Sequence, residues 1–327
     1  NDSLCPSPEL LCSMLDNESN KLRLWERSYE DDDFLAIRMG LGNRPFEVKL
    51  KIPKQGFQLY EDELRNLPAE LSKKYGILSN VPLTIDIRTN HTIGVIGSQK
   101  NIRTILYETI LNIISLHSYD EVKLVLVTSP KQAHVFDDFK NVPHIWSNDK
   151  KVRFFATNPD EVHFIFNIID EKIKEREGSQ DRDNPPIPHF VVIVMEPNLI
   201  AKEALLRYIN DADNQVGITT IFAYGDITKL PKSCKTIIQS DDTRTGYYIK
   251  NKNANRFIPF ALDNIETSRI RSFANALSRL PIKRDSRSLG IVDRISFLQM
   301  YKVGNVSELC IESHWDSNNS AKSLAAP

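Results

Sequence analysis

The octet Gly97-Ser98-Gln99-Lys100-Asn101-Ile102-Arg103-Thr104 lies between the apolar run Thr92–Ile96 and a stretch with helical spacing. A phosphate-binding loop belongs at such a junction, with the pattern G-x-x-x-x-G-K-[ST]. There, backbone N–H groups curl around the phosphates and the helix N-terminus adds its positive end. The Lys reaches the terminal phosphates and the hydroxyl holds Mg²⁺. Gly97 and Thr104 fit, but Ile102 replaces the second Gly and Arg103 replaces the Lys. A β-branched side chain resists a left-handed backbone, and a guanidinium keeps the charge without the compact, rotatable ammonium. Lys100 lies within reach of an anion but outside the Lys position. The octet reads as a phosphate site laid out and stripped of its chemistry.

The partner element of an NTPase is an apolar strand ending in acids that hold the metal and polarise the attacking water. The candidate is Phe190–Glu196. Glu196 takes the second acidic place, but Met195 stands where the metal-linked Asp is needed, and a thioether is a poor ligand for Mg²⁺. No catalytic residue is therefore assigned beyond a vestigial Glu196. A third strand, Ile218–Ala223, ends in Tyr224-Gly225.

The other reactive residue types point nowhere specific. The seven histidines show neither i,i+4 pairs nor cysteine partners at zinc spacing, so no metal site is expected. The four cysteines form no C-x-x-C pair, which reads as reduced thiols. Lys+Arg number 42 against 43 Asp+Glu, a balance that argues against bare duplex nucleic acid as a partner. Asp31–Asp33 and Asp241-Asp242 read as solvated turns.

Elements of α/β type must position these residues. Ser7–Asp16 predicts a helix with Pro8 in its first turn. Phe34–Met39 and Phe46–Ile52 predict a hairpin around Gly40-Leu41-Gly42-Asn43. Glu61–Tyr75 predicts a helix disturbed by Pro68. From Leu83 onward short apolar runs alternate with helices. Strands are expected at 83–87, 92–96, 122–127, 190–194, 218–223, 236–238, 246–249 and 257–260, and helices at 102–117, 159–175 and 199–212. Apolar strands alternating with helices indicate a mostly parallel sheet covered on both faces. Residues 178–188 read as a loop, a helix follows Asp263 to about Leu280, and two short helices are expected at 296–301 and 306–315. The chain reads as three regions, 1–80, 81–263 and 264–327. With no initial Met and a small, polar end at 317–327, it reads as a piece of something larger. No segment has the length of a membrane span.

Several strings together carry a resemblance. Leu24-Trp25-Glu26-Arg27 with Asp33–Gly42, and Phe297–Val306 followed by Ser313-His314-Trp315, resemble signatures of the FtsK/SpoIIIE-type motor ATPases of type VII (WXG100/ESX) secretion. Ser323–Pro327 resembles the linker that leads into that family's first full motor domain. The resemblance covers about residues 6–327. It implies a P-loop NTPase-like (RecA-like/FtsK-like) fold with a small N-terminal α+β element next to the membrane anchor and a helical C-terminal tail. It also implies a position under the membrane on its cytosolic side and other secretion components as partners, a ubiquitin-like one among them, with ring assembly in the whole protein. Many related motors carry Thr-Gln where this chain has Tyr224-Gly225. The resemblance implies ATP and Mg²⁺ in the parent's other domains and none here. Three functions stay open: a structural or regulatory pseudo-ATPase, a residual nucleotide-binding module using Lys100, Arg103 and Thr104, and an active P-loop ATPase.

Overall fold

The computed structural model describes residues 4–46, 67–178, 185–211, 216–241, 244–251, 254–264 and 266–280. The chain divides into one unit over Asn1–Leu280 and another over Pro281–Pro327, and the described residues all belong to the first. The expected helices at 296–301 and 306–315 lie outside them, as do 61–66 and 47–52 of two further expected elements.

Ser7 caps helix α1 (Pro8–Cys12) with Pro8 in its first turn. After α2 (Glu18–Lys21) the chain enters strand β1 (Ala36–Pro45), then α3 (Leu67–Tyr75) and β2 (Ile77–Asp86). Pro68 is the second described residue of α3. The alternating part comprises β3 (Thr92–Gly97), α4 (Gln99–Leu116), β4 (Val122–Val127), β5 (Phe155–Ala156), α5 (Pro159–Gly178), β6 (His189–Val194), α6 (Leu206–Ile209) and β7 (Ile218–Gly225). It closes with β8 (Thr236–Ser240), β9 (Thr245–Asn251), β10 (Ala254–Ala261) and α7 (Thr267–Ser278).

One sheet has the order β2-β1-β10-β9-β8-β3-β7-β6-β4-β5. Neighbours from β8 to β5 run parallel, while those from β2 to β8 run antiparallel. The α/β expectation is met, with β3 between β8 and β7 in the parallel half. The mostly parallel sheet is in fact mixed, because β1, β2, β9 and β10 extend it antiparallel. Successive residues of a strand face opposite sides, and the two cores show it. Val191, Ile193 and Met195 pack with α4 on one face, and Phe190, Val192 and Val194 pack with α5 on the other.

Three expectations need correction. Gly40–Asn43 do not turn but run through β1, which pairs with β2 on one side and with β10 on the other. The glycine serves close approach: at φ +136°, a Cβ on Gly40 would collide with the Ala261 carbonyl oxygen. The helix expected over 199–212 is broken. A 3₁₀ turn at Pro197–Leu199 and irregular turns precede a single α turn, α6, because Ile200, Leu205, Tyr208 and Ile209 reach the core at uneven spacing. Helix α4 is not amphipathic beyond its first turns, since every residue from Ile105 to Leu116 is buried. A helix buried all round needs cover on its outer side, and α1, β1 and α7 share with it one hydrophobic core.

Candidate functional site

The octet sits at the C-terminal end of the central strand, where ligands of open α/β sheets bind. Strand β3 ends at Gly97 and α4 begins at Gln99, leaving Ser98 alone between them. Ser98 Oγ caps the helix by accepting from Asn101 N at 3.3 Å. Ser98 N donates to Ser240 O at 3.1 Å, which seals the turn onto β8. Gly97 has φ +139°, and any side chain there would overlap the Ser240 backbone. The several-residue loop that curls around phosphates has no room to exist, because its residues are helix.

Each remaining member of the octet has a helical post. Ile102 is 2% exposed and joins the core. Arg103 donates from Nη2 to Tyr107 Oη at 3.0 Å, one turn on, with its guanidinium 4.9 Å from the ring centre. Tyr107 Oη in turn donates to Asp138 at 3.1 Å, and Asp138 pairs with Arg271 of α7 at 2.6 Å. Thr104 Oγ1 donates back to Lys100 O at 3.2 Å. Lys100 is exposed on the first turn.

The acidic element fares likewise. Met195 is buried and its sulfur accepts from Thr128 Oγ1 at 3.8 Å. Glu196 is half-buried and acts as the cap of the 3₁₀ turn, accepting from Asn198 Nδ2 at 3.0 Å. Tyr224 is the next-to-last residue of β7, and its phenol is raised above the ordinary value by burial and then by Cys234 and Glu196 nearby. Gly225, paired with Ile96 of β3, lies against Ile102. The fold thus brings Gly97, Ile102 and Tyr224-Gly225 together at the ends of β3 and β7, while Arg103 turns away along α4. This donor set does not suit Mg-nucleotide: the loop is helix, the carboxylate position is a thioether, and the cation is engaged on its own helix. Among the described residues no group of three or more His, Cys, Asp or Glu is arranged to hold a metal ion.

No family model matches the chain. It is 28% identical over 307 residues to the ESX secretion system protein EccC of Geobacillus thermodenitrificans, covering 93% of this chain and 21% of that protein. It is 28% identical over 321 residues to the type VII secretion system protein EssC of Staphylococcus aureus, covering 95% of this chain and again 21% of the relative. The chain is a homologue of these EccC and EssC proteins. It spans about a fifth of the length of the curated relatives it matches. Among solved structures, EssC (ATPases 2 and 3) from Geobacillus thermodenitrificans aligns with a TM-score of 0.48 at 12% identity, over 78% of this chain and 51% of that one. The cytoplasmic domain of EssC aligns with a TM-score of 0.43 at 13% identity, over 74% and 48%.

The residues carrying the N-terminal resemblance prove to be structural. The last carbonyls of a helix lack partners within it, and the Trp25–Arg27 strand of chain supplies them. Trp25 Nε1 donates to Ile114 O at 3.0 Å, Trp25 N to Ser115 O at 2.8 Å, and Arg27 N to Leu116 O at 2.9 Å. Trp25 and Leu35 both hold left-handed backbone, φ 60° and 58°, a costly state for such side chains that persists only under surrounding constraint. Leu35 N donates to His117 Nε2 at 2.9 Å. Buried Arg27 donates to Ala36 O at 2.7 Å and Leu4 O at 2.6 Å. Phe297–Val306 and Trp315 lie outside the described residues. Ser240, which closes the octet from β8, carries no motif in the sequence.

Proposed function

We propose that this region is a structural, coupling domain of a type VII secretion motor: an ATPase fold that joins the membrane-anchored part of the protein to downstream motor domains without turning over nucleotide itself. The observation that carries the reading is the start of α4 at Gln99, which turns Lys100–Thr104 into helix and puts Ile102 in the core. The posts taken by Met195 and Glu196 support it, since both are engaged in structure. The homology to EccC and EssC over nearly the whole chain supports the setting. Other secretion components, including a ubiquitin-like one, are the proposed partners, and nucleic acid is not one. The proposed place is the cytosolic face of the membrane. Among the described residues no helix is long and apolar enough to cross a membrane.

Export of a secreted substrate by the full-length protein tests this. Arg103→Ala and Glu196→Gln should each export at the wild-type level. Loss of export in Glu196→Gln, as expected of a carboxylate that polarises water, would defeat the reading.

A further inference from the structure

Arg38 stands where three parts of the unit meet. It lies on β1 and is almost fully buried. Its backbone N–H donates to Asn112 Oδ1 of α4 at 3.4 Å. Its Nη1 donates to Cys5 O at 2.7 Å, just ahead of α1. Its Nε and Nη2 grip the Asp263 carboxylate side by side at 2.7 and 3.0 Å, shortly before α7. This planar fork is the strong, direction-fixing form of the ion pair.

Two further features mark the spot. Glu108 of α4 is fully buried beside the pair, with Asp263 adjacent to it. Burial, then adjacent Asp263, holds its carboxyl well above the ordinary range, against the pull of Arg38 and with a further push from Glu9. Open clefts of about 310 and 160 Å³ lie along α1 and α7, lined by Cys12, Leu15 and Phe273 in one and by Glu9, Cys12 and Arg269 in the other. Loosely packed elements open at lower cost than a sheet core.

We propose that Arg38 is a latch: one guanidinium holds both the entry of the unit (residues 5–12) and its exit (residues 263–278) against α4, so that the two detach together while the sheet stays intact. The latch deepens the coupling reading, which gives it a purpose. It is nevertheless a property of this chain alone, so its test needs no secretion system and can fail independently of that reading.

The test is native-state hydrogen exchange, read by mass spectrometry on the whole chain. Arg38→Lys keeps the charge but loses the fork, and Asp263→Asn removes the anion. Both should speed exchange in residues 8–12 and 267–278 by a common factor of about tenfold or more, with 122–127 and 189–194 changing less than about twofold. Glu108→Gln, which keeps the size of the side chain and leaves the bonds of Arg38 to Cys5 O and Asp263 in place, should leave both segments at the wild-type rate. The latch is overturned if only one end speeds up in both variants, if the strands speed up as much as the helices, or if Glu108→Gln releases both ends. Should Arg38→Lys fail to fold, Asp263→Asn decides by the same criteria.

Discussion

The Cδ1 methyl of Ile102 lies 3.7 Å from the point where a Cβ on Gly225 would stand, so the side chain in the second-glycine position closes the space at the end of β7. In a working phosphate loop that position is bare backbone. Here it is core, and Ile102 supplies packing.

The variant I102G/R103K tests the proposed absence of nucleotide binding, since it restores the full pattern over 97–104. Removing Ile102 should cost about 3–6 kcal/mol from lost packing and a mid-helix glycine. Because α4 still starts at Gln99 and Met195 still replaces the carboxylate, the variant should show no Mg-ATP binding by calorimetry, and urea unfolding should report the lost stability.

Gly97→Ala addresses the seal on β8. At φ +139° and hard against Ser240, the added methyl meets backbone, which cannot swing aside. A loss of at least about 3 kcal/mol is expected, read as a fall in the urea midpoint with an unchanged slope. A near-neutral effect would mean that the strand-to-helix turn is looser than described.

Trp25→Phe isolates one hydrogen bond at the other end of α4. The ring is largely kept while Ile114 O loses its donor, and an unsatisfied carbonyl costs about 1–3 kcal/mol. Thermal unfolding should show this loss with the secondary structure intact.

Acid should weaken the same joint. His117, His144 and His189 are buried, and burial above all lowers each from 6.5 to about 3. Between those values the unfolded chain binds protons that the folded chain refuses. Their contribution is therefore complete above about pH 6.5 and is lost as pH falls toward 3. At pH 5 each histidine loses on the order of 2 kcal/mol relative to pH 7.5. Urea midpoints at the two pH values measure it, and a flat profile would show that the rings charge in place.

Much of the parallel half was legible in the sequence because its strands are fully buried apolar runs, and β4 falls on 122–127 as its pattern indicates. The helix start at the octet was not legible, because a phosphate loop has a fixed spacing and the octet was measured against it, whereas α4 already begins at Gln99. The antiparallel extension was not legible. Gly40 and Gly42 look like a turn when the partner strand Ala254–Ala261, over two hundred residues away, cannot be seen. Nor does spacing show that Trp25 caps α4 or that Arg38 meets Asp263, because those contacts are set by tertiary packing between segments far apart in the chain. Helical spacing over 102–117 likewise does not show that Glu108, Asn112 and Ser115 are buried among the elements that wrap the helix.

Titration of this chain with Mg-ATP by calorimetry bears most directly on the central claim. No heat of binding is expected up to millimolar nucleotide, for wild type and Arg103→Ala alike. Micromolar binding to the wild type that disappears in Arg103→Ala would contradict the account.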